Sequence, residues 1–228
     1  MSKNRSTRQI VGMYDYIKDP QAITVESFRQ IEALADLSQL DQRLHPIALR
    51  LIHTCGQVNI IEHLKVHGDV MVNGIAALRD SASVLCDVEM VRQGLSKGFL
   101  KSEPQCFLNH KDVAAQAKEQ GITRSMQALT HWRDTMKGAV IVIGNAPTAL
   151  FRYLEMLEQG ADKPALIIAM PVGFVGAAES KQALYEYACR NNIAAITLFG
   201  RVGGSALAAA AFNAIAGSLH SVSSYDGR

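Results

Sequence analysis

The chain has 228 residues, 48% of them hydrophobic and 19% charged, with a formal net charge of +2. That length and apolar content support one domain with a sizeable core, and the near-neutral balance supplies no long-range field of the kind nucleic-acid binding uses. No apolar stretch reaches roughly 18 residues without a charge or a turn signal, so the sequence predicts no membrane span.

The N-terminal "MSKNRSTRQIVGMYDY" is polar and basic and lacks the apolar core of a secretory signal. Cys55, Cys86, Cys106 and Cys189 form no CxxC pair, and scattered thiols suit a reducing cytosol better than a disulfide framework. The expectation is a soluble, cytoplasmic protein: a single domain over 14–216 between loose tails at 1–13 and at the Ser- and Gly-rich 217–228.

Taken in chain order, a helix is predicted from about Ala22 to Leu37, where Phe28, Ile31 and Leu34 recur at helical spacing. "HPIALRLIHTCGQ" reads as a second, with Pro46 in its first turn and Gly56 at its end. "ASVLCD" (82–87) is a short apolar strand leading into "VEMVRQGL", and "PQCFLNH" (104–110) is a further strand candidate. "DVAAQAKEQG" (112–121) and "SMQALTHWRDTM" (125–136) are helical. "GAVIVIGN" (138–145), "PALIIAM" (164–170) and "AAITLFG" (194–200) are buried strands. Each is followed by a Gly-containing turn and a helix: "APTALFRYLEMLEQG", "AESKQALYEYAC" and an Ala-rich segment that Ser205 can cap.

Strand, turn and helix three times in succession mean βαβ units and a parallel sheet, here a doubly wound α/β domain of four or five strands. The turns at 144–147, 171–176 and 200–205 should then face one ligand at the carboxyl edge of the sheet. A nucleotide fits them poorly. No segment supplies GxxxxGK[ST], and "PVGFVGAAES" offers only G-x-x-G, late in the chain. Helix N-termini still favour anions, carboxylates included, and small residues let backbone approach a large flat ligand. Arg201 and Lys181 add charge near two of the turns, although an isolated cation is more often simply solvated.

Arg50 and His53 lie three apart on the second helix and share a face. A histidine there can exchange a proton near neutral pH, or it can serve only as a hydrogen-bonded group in a half-buried interface. The other histidines, at 45, 63, 67, 110, 131 and 220, give no HExxH and no zinc-spaced cluster, so no metal site is expected; His63 and His67 would share a face if they lay on a helix. There is no GxSxG elbow for a serine nucleophile, and Cys55 faces away from His53 on a helix.

"LIHTCGQ", "GNAPTALF", "PVGFVGAAESK" and "GRVGGSALAAAAFNAI", in that order and spacing, resemble the precorrin-8X methylmutase (precorrin isomerase) family of cobalamin biosynthesis. "YDYIKDPQAI…ESF", "VLCDVEMV" and "TRS" (123–125) match as well, so the resemblance runs from about Tyr14 to Ala216. It implies a flavodoxin-like three-layer α/β/α fold with a mainly parallel sheet of about five strands, a homodimer and no cofactor. It also implies an isomerase that shifts a ring methyl group from C-11 to C-12 of precorrin-8X, giving hydrogenobyrinic acid, and that holds its corrinoid product tightly. His53 of "IHTCG" would be the catalytic residue, with Ser27 of "ESF" and Arg50 as substrate contacts.

The remaining candidates come from the fold and not from the motifs. Arg124, Gly144, Asn145, Gly173, Gly176, Arg201, Gly203, Gly204 and Ser205 are expected to face the acetate and propionate arms of such a tetrapyrrole. Two alternatives stand beside this reading: a cobalt-precorrin-8 methylmutase with the same motifs, and a non-catalytic corrinoid carrier that needs the crevice but no acid–base residue.

Overall fold

The computed structural model describes residues 14–219, so the tail at 1–13 and positions 220–228 of the expected C-terminal tail lie outside the described residues, while Gly217 belongs to the last helix. The first helix, α1 (Pro20–Leu34), starts where the Asp19 carboxylate accepts the Ala22 N–H at 2.7 Å, with Pro20 in its first turn. It stops before Leu37. The second, α2 (His45–Cys55), has Pro46 at its start and ends on Gly56 in the left-handed conformation, φ 70°.

There follow β1 (Leu64–His67), α3 (Val70–Arg79), β2 (Val84–Cys86), α4 (Glu89–Gly94), β3 (Gln105–Cys106), α5 (Val113–Gln120) and α6 (Arg124–Ala128). The stretch expected as one helix over 125–136 divides into α6 and a 3-10 run, Leu129–Thr135. The chain closes with β4 (Val140–Ile143), α7 (Pro147–Glu158), β5 (Leu166–Ala169), α8 (Ala177–Asn191), β6 (Ala195–Leu198) and α9 (Ser205–Gly217).

The sheet has six strands in the order β1-β6-β5-β4-β2-β3, one more than the five expected. All pairs are parallel except β1 with β6, where Leu64 faces Leu198 and His67 faces Ala195. Without β1, the order read from β3 is the 2-1-3-4-5 arrangement of flavodoxin-like folds. The direction of winding reverses between β2 and β4.

The added strand escapes a reading by apolar runs because it is short and three of its four residues are only half-buried. His63 closes the 3-10 run before it and His67 ends the strand, so the two do not share a helix face. The central strands VIVI, LIIA and AITL are buried on both faces, which a parallel sheet flanked by helices requires. Alternate residues serve opposite layers. Val140, Val142, Ile168 and Ile196 pack with α2, α3 and α9, while Ile141, Ile143 and Ile167 pack with Trp132, α7 and α8. The row of alanines in α9 lets it lie close against α2, which carries the candidate histidine.

Candidate active site

His53 is exposed near the end of α2, and its position is fixed by α1, which packs across that helix. Ser27 Oγ shares a hydrogen bond with His53 Nδ1 at 2.7 Å. The imidazole also leans on the Phe28 ring, with centroids 5.3 Å apart. Arg50 lies over the same ring, its Cζ 5.7 Å from the centroid, and has no carboxylate partner among the described residues. Ser27, Phe28, Arg50 and His53 thus form one group, three of them expected and Phe28 not singled out in the sequence. With Nδ1 held by Ser27, His53 Nε2 remains free to meet a ligand and exchange a proton with it.

The turns at the carboxyl edge are joined more to one another than the sequence suggests. Gly204 N–H donates to the Met170 carbonyl at 2.7 Å, and Gly173 N–H to the Arg201 carbonyl at 3.2 Å. A Cβ at Gly203 would come within 2.3 Å of Met170 O, so glycine is required there for the two loops to meet. Gly173, Arg201 and Gly203 line a hollow of about 340 Å³ together with Cys55 and Gln57, which follow His53 in the chain. Arg201 rests on the exposed Phe174 ring at 5.2 Å and, like Arg50, has no carboxylate partner among the described residues. A further hollow of about 460 Å³ lies on the other flank, lined by Phe28 and Arg50. A depression of about 620 Å³ sits at the opposite, amino edge of the sheet and contains none of the candidate residues.

The other fold-derived candidates are differently engaged. Asp87, buried just after β2, accepts the N–H groups of Gly144, Asn145 and Ala146 at 3.0, 2.9 and 3.0 Å. This is the reversal point of the sheet, where flavodoxin-like folds bind ligands, and here a protein carboxylate occupies the anion position at the start of α7. Burial pushes the Asp87 carboxyl up, and the three donors pull it back toward the charged form. The amides of Gly144 and Asn145 are therefore already used, and Asp87 is a residue that sequence reasoning missed. Ser205 does not cap α9: Gly204 occupies the cap position, and Ser205 is buried as the first helical residue, against Gly144. Gly176 precedes α8 and packs on Pro147 and Phe151. Arg124 is engaged by the loop after β3, donating to the Leu108 carbonyl and to Asn109 Oδ1 at 3.3 and 2.8 Å.

Lys181 is fully buried, and its Nζ donates to the Val202 carbonyl at 2.6 Å, tying α8 to the loop that carries Arg201. Burial pulls its pKa down to about 8 from the usual 10.5. Between those two values the unfolded chain binds more protons than the folded one, so folding stability rises with pH across that window and the full penalty of the buried charge is present below it. The shift corresponds to about 3 kcal/mol. Lys181→Met should therefore lose the rise in stability between pH 8 and 10.5 seen in the unsubstituted protein, read as the difference between the two urea-unfolding curves; a parallel pH dependence in both would exclude this account.

The sequence model of the precorrin-8X methylmutase family matches residues 22–218. The chain is 49% identical over 206 residues to a precorrin-8X methylmutase of Pseudomonas aeruginosa, covering 90% of this chain and 98% of that one. It is 34% identical over 211 residues to a cobalt-precorrin-8 methylmutase of Priestia megaterium, covering 91% and 92%. Its fold matches the crystal structure of a precorrin-8X methylmutase from Thermus thermophilus with a TM-score of 0.79 and 32% identity, over 88% of this chain and 97% of the other. Among the described residues no helix is long and apolar enough to cross a membrane. The matches span the α1–α2 histidine group and all the turns of the carboxyl edge, and the chain belongs to the precorrin-8X methylmutase family of isomerases.

Proposed function

We propose that this protein isomerises metal-free precorrin-8X to hydrogenobyrinic acid by a [1,5]-sigmatropic methyl shift from C-11 to C-12. The observation that carries the reading is the Ser27-held imidazole of His53 with its Nε2 free, beside the Arg50 guanidinium and next in the chain to the hollow that Arg201 lines, neither arginine having a carboxylate partner among the described residues. A methyl shift within a conjugated ring needs the macrocycle held in a reactive geometry and its protonation adjusted, and one histidine can supply the proton. In this reading Ser27 positions the ring of His53, while Arg50 and Arg201 receive acetate and propionate arms. The exposed Phe174 and Val175 lie against the macrocycle.

The metal-free substrate is favoured because identity is higher to the Pseudomonas aeruginosa precorrin-8X enzyme, 49%, than to the Priestia megaterium cobalt-precorrin-8 enzyme, 34%. The reading takes 14–216 as one functional unit, acting as a homodimer in the cytoplasm and keeping its product tightly bound. The free thiols of Cys55, Cys86, Cys106 and Cys189 suit that compartment. Incubation with each substrate in turn, followed by visible absorbance, should show conversion of metal-free precorrin-8X. Conversion of the cobalt form alone would select the anaerobic enzyme, and binding without any spectral conversion would select a carrier.

Arg50→Ala should weaken product binding by about 10- to 150-fold, the loss of one charge-assisted contact of roughly 1.5–3 kcal/mol, with a smaller change in kcat. Equilibrium titration measures this, and unchanged affinity would remove Arg50 from the binding surface.

A further inference from the structure

The loop after β3 carries a second group of chemically capable side chains. His110 and Asp112 lie in the turn into α5, and His131 comes from the 3-10 run after α6. His110 Nδ1 and His131 Nε2 lie 2.5 and 3.2 Å from the same oxygen, Asp112 Oδ1. One ligand atom from each residue falls within 4.8 Å of the others. We propose that His110, Asp112 and His131 form a binding site for one divalent transition-metal ion of the zinc class, separate from the tetrapyrrole site.

Two imidazoles and a carboxylate are a donor set of intermediate softness, suited to Zn²⁺ and its first-row neighbours and not to Mg²⁺ or Ca²⁺. Metal–ligand bonds of about 2.0–2.1 Å in a tetrahedron place neighbouring ligand atoms about 3.3–3.4 Å apart. The His131–Asp112 separation is close to that value, His110 needs to draw back from Asp112 by less than about 1 Å, and the two histidine ligand atoms, within 4.8 Å of each other, need to close to the same spacing. The ligands are held before any ion arrives: His131 stacks on Phe107 with centroids 5.5 Å apart and an 18° tilt, and the centroids of the two imidazoles are 4.3 Å apart. Asp112 stands at the cap position of α5 but makes no capping bond; its carboxylate turns to the histidines instead. A structural His–Asp pair would account for one imidazole on that carboxylate, whereas here a second converges on the same oxygen.

The side chains are 40%, 34% and 24% exposed, so an ion can enter and water can complete its shell. The cluster follows β3, the edge strand four positions from β6, roughly 19 Å across the sheet from the Arg201 loop at about 4.8 Å per strand. An ion there would join the end of β3, the start of α5 and the run after α6, so binding should be readable as stability.

The test is calorimetric titration of the metal-stripped full chain with Zn²⁺, paired with thermal melts. The expected result is one ion per chain and a Tm that rises with Zn²⁺. His110→Ala and His131→Ala should each weaken binding at least tenfold and abolish the Tm rise. His110 is exposed and His131 half-buried, outside the two hydrophobic cores, and circular dichroism should show that both variants fold. His67 Nδ1 and Cys189 Sγ, 3.4 Å apart, form another metal-capable pair, and His67→Ala should leave Zn²⁺ binding unchanged. Absence of stoichiometric binding, binding that survives both His110→Ala and His131→Ala, or binding lost with His67→Ala would each overturn the proposal.

Discussion

His53→Ala is expected to fold, to retain tetrapyrrole binding and to turn over about 10²- to 10⁴-fold more slowly, the range associated with loss of a positioned acid–base group. Folding should survive because the side chain is exposed and its removal opens no core cavity. Binding should survive because Arg50 and Arg201, held on Phe28 and Phe174, remain to receive carboxylate arms. Ser27→Ala should have a smaller effect, because it releases the ring without removing the proton carrier. Single-turnover absorbance with enzyme in excess separates these cases, and near-normal isomerisation by His53→Ala would end the catalytic assignment.

Asp87→Ala should be the most destabilising single substitution considered, by on the order of 4 kcal/mol. It would leave the amides of Gly144, Asn145 and Ala146 without their acceptor at the start of α7. Each unsatisfied buried N–H costs about 1–3 kcal/mol. For a chain of this size that loss corresponds to a Tm about 8–16 °C lower. Asp87→Asn keeps one oxygen but turns an NH2 group toward backbone donors, so it should fall between the two. Thermal melts decide the matter: a Tm within 2 °C of the unsubstituted protein, on a scale of roughly 2–4 °C per kcal/mol, would mean that the turn finds other acceptors.

The parts of this molecule that announce themselves in sequence are those whose cause is local. The strands at 140–143, 166–169 and 195–198 are continuous apolar runs closed by glycine turns, because a parallel sheet buries both of their faces. Gly56 after α2 follows from the left-handed end of one helix. What stays hidden depends on distant partners. β1 exists because β6 offers it an edge, and its own half-buried residues carry no apolar signature. Gly203 is visible as a small residue, but its reason, the Met170 carbonyl pressed against it, comes from another turn.

The candidate site divides in the same way. His53, Ser27 and Arg50 were legible through motif resemblance, and the structure brings them together through Phe28. Asp87 stands inside the quoted "VLCDVEMV", yet nothing local shows that its carboxylate fills the turn at 144–146. That filling uses the amides a phosphate would need at the anion position of a flavodoxin-like crevice. His110, Asp112 and His131 are likewise separated in sequence and meet only because α6 folds back beside the loop after β3.

The most direct test of the central claim is a crystal structure with the corrinoid product bound. The account predicts the macrocycle between the end of α2 and the loops at 171–176 and 199–204, with His53 Nε2 within hydrogen-bonding distance of the ring and Arg50 or Arg201 on its carboxylate arms. A macrocycle seated elsewhere, such as the depression at the amino edge of the sheet, or one lying beyond the reach of His53, would contradict it.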